Sequence, residues 1–266
     1  MAWKGRLNHM RTAVGMVLAV AILASAGCSS SIYGWQVRTH SMEPLPSFSQ
    51  SVLAQEPVAL FGGLAQPGLL GGEIGLEVLL SQILKKVAPH IKVIEPNQTL
   101  TTINRVGLSA DYTRMRNDAL QSNMLDRDLL NKLSAAVGAR YVFQPRLTAF
   151  TQTMTDRWKF PALDFRVSQT RSGIMRLSLQ LWDAETGDLI WFSIAEATMQ
   201  SESLSQDPVY FEDMARVSLG SVIADFLNGK TASTYTPLNK ILDQLIQVPV
   251  PEEKRTEGKP LTGSEQ

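Results

Sequence analysis

Ile174-Met-Arg-Leu-Ser-Leu-Gln-Leu-Trp-Asp183-Ala-Glu-Thr-Gly187-Asp-Leu-Ile-Trp-Phe-Ser-Ile-Ala-Glu-Ala197 decides how this chain folds. Met175, Leu177, Leu179 and Leu181 alternate with Arg176, Ser178, Gln180 and Trp182, the two-residue period of a strand with one apolar face. The turn Asp183–Asp188 holds Gly187 where a positive φ is expected, and Leu189–Ala197 then returns. The stretch 174–197 is therefore expected to form a long antiparallel hairpin.

Working outward, Arg140–Gln152 carries Tyr141, Phe143, Leu147 and Phe150 among Thr and Gln and predicts a neighbouring strand. Ahead of it Asp126 suits an N-cap, with Leu129, Leu130, Leu133 and Val137 inward and Gly138 past the helix end. Further upstream, Pro57–Phe61 predicts a strand and 62–72 a Gly/Pro-rich loop. A helix is expected over 73–87, with Leu76, Leu79, Leu80, Ile83, Leu84 and Val87 on one face and Pro89 as its stop. Residues 90–94 alternate as a second short strand, while 98–122 is polar with a weak helical period. Downstream, Asp207-Pro208 opens a long helix to Leu227, with Phe211, Ala215, Leu219, Val222, Ile223 and Phe226 on one side. Leu238, Ile241, Leu242, Leu245 and Ile246 mark a last amphipathic helix within 231–248; 249–266 reads as a disordered tail. The expected fold is one α/β domain (α+β-like) over 56–230, a mixed sheet with a long antiparallel hairpin and helices packed on it.

The first 27 residues read as an export signal. Lys4, Arg6 and Arg11 precede an uncharged apolar run, Val14–Ala24, shorter than the roughly 20 residues that span a bilayer. Small residues come next, and then the chain's one cysteine, Cys28. This resembles the lipobox of bacterial lipoproteins, with Ser25 where the lipobox usually has Leu; the resemblance implies that Cys28 becomes the lipidated first residue. Two other readings of the residues stand beside it: Ala24-Ser25-Ala26 as an ordinary secretory cleavage site, and 12–27 as a buried helix. Ser29 rather than Asp after the cysteine resembles the outer-membrane sorting pattern. Residues 28–55, containing Ser, Pro and Gln without a sustained apolar period, read as a flexible tether.

The chain has 25 Lys+Arg and 25 Asp+Glu, and the part from Cys28 onward keeps 22 and 25. That balance excludes a polybasic nucleic-acid binder, and the near-zero mean hydropathy excludes a multi-span membrane protein. One cysteine permits no intramolecular disulfide or Cys-based zinc site, and His40 and His90 have no second ligand at metal spacing. Gly72-Glu73-Ile74 places an acid where a phosphate loop needs Lys and Ser/Thr, so 62–75 reads as a sheet-to-helix connection. No catalytic motif, metal or cofactor signature is present, and the expectation is a protein that is not an enzyme.

The run Leu133-Ser-Ala-Ala-Val-Gly138-Ala-Arg-Tyr-Val-Phe143, together with Met175 to Trp191, resembles a recurrent bacterial envelope pattern. It is similar to the curli-secretion-channel lipoproteins, the lipoprotein activators of penicillin-binding proteins and the amino-terminal domain of the Tol-system periplasmic protein. The resemblance implies an anticodon-binding-like α/β fold and carries no catalytic residue.

Between the strands, 151–173 is long for a loop. From Arg140 to Arg176, both included, there are seven basic residues and two acidic ones. Arg157, Trp158, Phe160, Phe165, Arg166 and Arg171 combine the residue types that dominate protein interfaces, and are the candidate partner contacts. Charges that merely face water, or Arg–aromatic stacking within the loop, are the alternatives. The reading is a periplasmic adaptor or activator, lipid-anchored at the outer membrane and binding an envelope protein of unknown identity; a subunit of an oligomeric channel of the curli type is the alternative. Cys28→Ala is expected to abolish fatty-acid labelling and release the protein from membranes; a variant still labelled and sedimenting with membranes refutes the anchor.

Overall fold

The computed structural model describes residues 32–69, 71–156, 159–160, 165–166, 169–203 and 209–236; the segment expected to be an export signal, Cys28, Arg157, Trp158 and everything from residue 237 lie outside. The hairpin is present as β8 (Gln169–Asp183) and β9 (Asp188–Ser203), joined by a turn in which Gly187 has φ 78°. Its N–H donates to the Asp183 carbonyl at 2.8 Å. The other strands are β1 (Ile32–Ser41), β2 (Val58–Leu60), β3 (Leu64–Ala65), β4 (Val93–Ile94), β5 (Tyr141–Asp156), β6 (Lys159–Phe160), β7 (Phe165–Arg166) and β10 (Ala232–Tyr235).

The main sheet has the order β10-β1-β9-β8-β5-β2-β4, with β3 beside β5. β2 runs parallel to both β4 and β5, while β10 runs antiparallel to β1, so the sheet is mixed as expected. Five helices flank it: α1 (Leu76–Val87), α2 (Pro96–Arg105), α3 (Ser109–Ser122), α4 (Arg127–Val137) and α5 (Phe211–Asn228). The strands pass through two compact units. One holds, of the described residues, those in 35–151, 174–198 and 210–236, including all five helices; the other gathers the described residues of 152–173 and 199–209 with Ile32–Gly34.

In the larger unit helices pack on both faces of the sheet. Phe226 of α5 meets Phe143 of β5 and Trp191 of β9, with ring centroids 6.1 and 4.7 Å apart, and α1 packs against α5. On the opposite face Val142 and Trp182 pack with Ile103, Met115 and Leu130 from α2, α3 and α4. Ser178, Gln180 and Trp182, expected on a solvent face, are therefore buried. Because α5 packs against the sheet, against α1 and against Phe48 and Gln50, nearly every residue from Met214 to Phe226 is buried, and no single apolar stripe describes it.

Several expectations are corrected. The proposed tether at 28–55 contains β1, in which Trp35, Val37, Thr39 and Ser41 are buried while Gln36, Arg38 and His40 are exposed. The alternation escaped notice because two inward positions are hydroxyl residues. Leu53, in a short 3-10 turn at Gln50–Ala54, and Phe48, against Tyr141 and Phe226, add to the core from the same segment. The polar stretch 98–122 forms α2 and α3, whose inward positions are few: Thr99, Ile103, Tyr112, Met115 and Ala119. The segment 231–248 begins as strand β10 rather than helix, and its remainder lies outside the described residues. Finally, α5 starts at Phe211 rather than near Asp207.

Asp225 explains how a strand with polar inward positions holds its place. This α5 carboxylate is fully buried and accepts hydrogen bonds from the Thr39 hydroxyl of β1, the Ser233 hydroxyl of β10 at 2.7 Å and the Tyr235 hydroxyl at 2.6 Å. Beside it, Ser41 Oγ donates to Ser193 Oγ at 2.8 Å. Burial, and then the bond to Asp225, push the Tyr235 phenol above its ordinary value of about 10. The folded chain holds that proton more tightly than the unfolded chain, so this contribution is complete below about pH 10 and is lost as pH rises further. Tyr235→Phe is expected to lower stability by about 1–2 kcal/mol at neutral pH and to flatten the fall of Tm above about pH 10. An alkaline limb of unchanged slope in the circular-dichroism melts counts against that assignment.

Candidate functional site

The 138–187 motif is built as a clamp. Gly138 has φ 78° and ends α4, its N–H reaching Ser134 O at 2.8 Å. Two residues on, the Arg140 guanidinium reaches Asp183 Oδ2 from Nε (3.2 Å) and Nη2 (3.0 Å), which raises the Arg140 pKa. The other Asp183 oxygen accepts from the backbone N–H of Glu185 at 2.9 Å and of Thr186 at 3.4 Å. From α4, Asn131 Nδ2 donates to Ala184 O at 3.2 Å. Gly187 is required twice over: its φ is positive, and a Cβ there would lie 2.5 Å from Arg127 Cγ. An open hollow of about 350 Å³ beside the clamp is lined by Glu56, Ser134 and Arg140, among others.

The Gly-rich connection is likewise held by packing. Gly62 N–H donates to Tyr112 Oη at 2.8 Å, Arg116 Nη2 to Gly63 O at 2.7 Å, and Gln144 Nε2 to Gly62 O at 2.8 Å. A Cβ on Gly62 would fall 2.4 Å from an Arg116 nitrogen. The loop is a sheet-to-helix connection, as expected.

The larger opening lies on the sheet face that α2–α4 leave bare. There β10, β1, β9 and β8 frame an open groove of about 690 Å³, with Arg38, His40, Arg176, Ile194, Glu196 and Thr234 in its lining. Strand register sets Thr234 opposite Arg38 and Ala232 opposite His40. Arg176 and Glu196 form an ion pair across β8 and β9, both largely in water. The groove residues of β1 were missed in the sequence because their strand was read as tether; the alternation of Trp35, Val37 and Thr39 with Gln36, Arg38 and His40 was the available signal.

Of the candidate partner contacts, Phe160, Phe165, Arg166 and Arg171 fall in the smaller unit. Arg157 and Trp158 lie outside the described residues. Phe160 stands opposite Phe165, and Lys159 opposite Arg166, in the antiparallel pair β6–β7, so the backbone brings four residues of the candidate stretch into one ribbon. Arg171 is half-buried on β8, and its Nε is enclosed with no hydrogen-bond partner. The 151–173 segment is thus largely strand rather than loop. β5 runs on to Asp156, with Thr151, Gln152, Thr153 and Met154 all exposed; Gln152 Nε2 donates to Val209 O at 2.6 Å.

No family model and no curated protein sequence matches the chain. Among solved structures it is similar to the PelC dodecamer of Paraburkholderia phytofirmans, at 12% identity and TM-score 0.34, covering 71% of this chain and 95% of that one. It is also similar to the lipoprotein GNA1162 of Neisseria meningitidis (14%, TM-score 0.39, covering 65% and 96%). A third is the LpoB C-terminal domain of Salmonella enterica (16%, TM-score 0.31, covering 56% and 94%). At these identities the likeness concerns the course of the backbone and assigns no residue a role.

The clamp and the groove make different demands on stability. Asp183→Ala strips both the turn and Arg140 of their acceptor and is expected to cost about 1–3 kcal/mol in urea denaturation. Arg176→Ala removes an exposed pair and should change stability by no more than about 0.5 kcal/mol. Equal losses for the two would place Arg176 in the framework instead.

Proposed function

We propose that the protein is anchored by lipid on Cys28 to the outer membrane, on its periplasmic face, and works by binding another envelope protein rather than by catalysis. The observation that carries this reading is the run Thr151–Met154: four successive strand residues, on both faces of β5, exposed to water. A strand wet on both faces contributes little to its own stability, so a chain that extends three strands of 15 or 16 residues in this way has use for their surface. Arg157, Trp158, Phe160, Phe165, Arg166 and Arg171 cluster on the same stretch of sequence and supply the aromatic and guanidinium groups that anchor protein contacts.

The position of β1 refines the reading. Three residues separate Cys28 from Ile32, where the strand begins. Four steps of extended chain span about 13 Å, so an acylated Cys28 holds the start of β1 close to the bilayer. The adaptor acts at the membrane surface, where a partner must come to it.

A photo-crosslinking residue at Met154, in membranes, is expected to capture one envelope protein, and Arg157→Ala with Trp158→Ala to reduce that capture at least several-fold without moving Tm. Crosslinks solely between copies, together with a detergent-solubilised particle many times the 29.3 kDa of the chain, favour the oligomeric channel and overturn the adaptor.

A further inference from the structure

The two lateral edges of the main sheet are finished differently. β4 is two residues long and ends one residue before α2, which starts at Pro96. β10, at the other edge, pairs with β1 alone, and its sequence Ala232-Ser-Thr-Tyr235 holds neither a charge nor a proline, two usual guards of an open edge. Register shows which of its backbone groups are left over. Ser41 N–H donates to Thr231 O at 2.7 Å, and these residues stand opposite each other one step beyond the pair His40–Ala232. Hydrogen-bonded and non-bonded pairs alternate along an antiparallel ladder. Ser233 and Tyr235 therefore bond to Thr39 and Val37, while Ala232 and Thr234 turn their N–H and C=O outward. Those four groups meet no strand among the described residues.

The side chains beside this edge carry a matching charge. Ala232 and Thr234 are small and lie on the groove face, opposite His40 and Arg38. Arg38 and His40 are exposed, and neither side chain has a hydrogen bond or ion pair among the described residues. Arg176 is paired with Glu196, and Lys230 stands in water just ahead of β10. The groove of about 690 Å³ thus sets two arginines and a histidine against one carboxylate, with an open strand edge as its outer wall. We propose that β10 takes up an extended segment of another protein as an added strand, and that acidic residues at alternate positions of that segment lie over Ala232 and Thr234 to meet Arg38 and His40. The added strand satisfies the four free backbone groups, which gives affinity without regard to sequence, and its side chains at every second position then select. The spacing agrees. The new strand lies two strand separations, about 10 Å, from β1, and the small side chains between leave that span to a carboxylate reaching inward and a guanidinium reaching outward. Arg38 and His40 are two residues apart, the same-face period of any strand, so one acid every second residue serves both. The cations stay at the rim of an open groove and gain partners there rather than being buried alone. Antiparallel pairing of β10 with that of a second copy would instead set Arg38 and His40 of both chains on one face, cations beside cations.

The test uses the full chain in detergent and synthetic heptapeptides: Thr-Glu-Val-Glu-Val-Glu-Thr, its counterpart with Lys for Glu, and the acidic peptide N-methylated at every Glu and Val, which cannot complete a ladder. By fluorescence anisotropy the acidic peptide is expected to bind at least ten-fold more tightly than either control, and to slow hydrogen exchange at Ala232 and Thr234. Thr234→Pro removes an outward N–H, a place where an edge strand tolerates proline, and is expected to abolish binding with Tm nearly unchanged. Arg38→Glu with His40→Glu keeps the edge and should turn the preference toward the basic peptide. Equal binding of the acidic and basic peptides, undiminished binding of the N-methylated one, unprotected Ala232 and Thr234, or no binding at all overturns the proposal. So does a dimer that Thr234→Pro dissolves, which gives the edge to a second copy. The peptides need neither the lipid anchor nor the 151–173 contacts, so their failure leaves the proposed function untouched.

Discussion

A carboxylate sealed from water governs one end of this sheet. Asp225 would be costly to bury alone, since a carboxylate in a low-dielectric interior needs donors on its lone pairs. Three hydroxyl groups from two strands occupy them, on Thr39, Ser233 and Tyr235. The helix thereby fastens β1 and β10, which have the least apolar material of their own. Lys230 N–H reaches Asp225 O at 2.9 Å, so the chain leaving α5 is steered at once toward the strand it must become.

The other side of the molecule answers a similar problem with a cation. Arg146, on β5, is almost wholly buried and donates to Ala119 O and Leu120 O, each at 3.0 Å, and to Asn123 Oδ1 at 3.0 Å. These carbonyls end α3, where the helix leaves its acceptors open. Asn123 takes the left-handed conformation at φ 58°, and Gln180 Nε2 reaches its carbonyl at 3.2 Å. Burial lowers the Arg146 pKa, but a guanidinium remains charged throughout the physiological range, and the open carbonyls supply the negative end it needs. Polar residues of the sheet are thus caps for the helices above it.

How much of this was legible depends on which residues face inward. β8, β9 and α4 announce themselves, because Leu, Ile, Met, Trp and Ala fill most of their buried positions and their turns carry Asp and Gly. β1, α2 and part of β10 do not. Their inward residues include Thr39, Ser41, Thr99 and Ser233, and a hydropathy pattern cannot distinguish an enclosed hydroxyl from one facing water. The candidate contacts divided the same way: an abundance of Arg and aromatics can be counted in a sequence, whereas the groove exists only once β1 and β10 are placed side by side.

The pairing of Val37 with Tyr235 joins residues nearly two hundred positions apart. Closing so long a span gives up chain entropy before any contact repays it, and topologies rich in such pairs fold slowly. β1 is the first strand to be synthesised and finds its outer neighbour only when β10, the last, has arrived. Until β9 and α5 have followed, its apolar residues, Trp35 and Val37 among them, have no place to go. A chain threaded through a membrane amino-terminus first would keep that strand waiting through the whole passage, and its safe arrival depends on whatever shields it meanwhile.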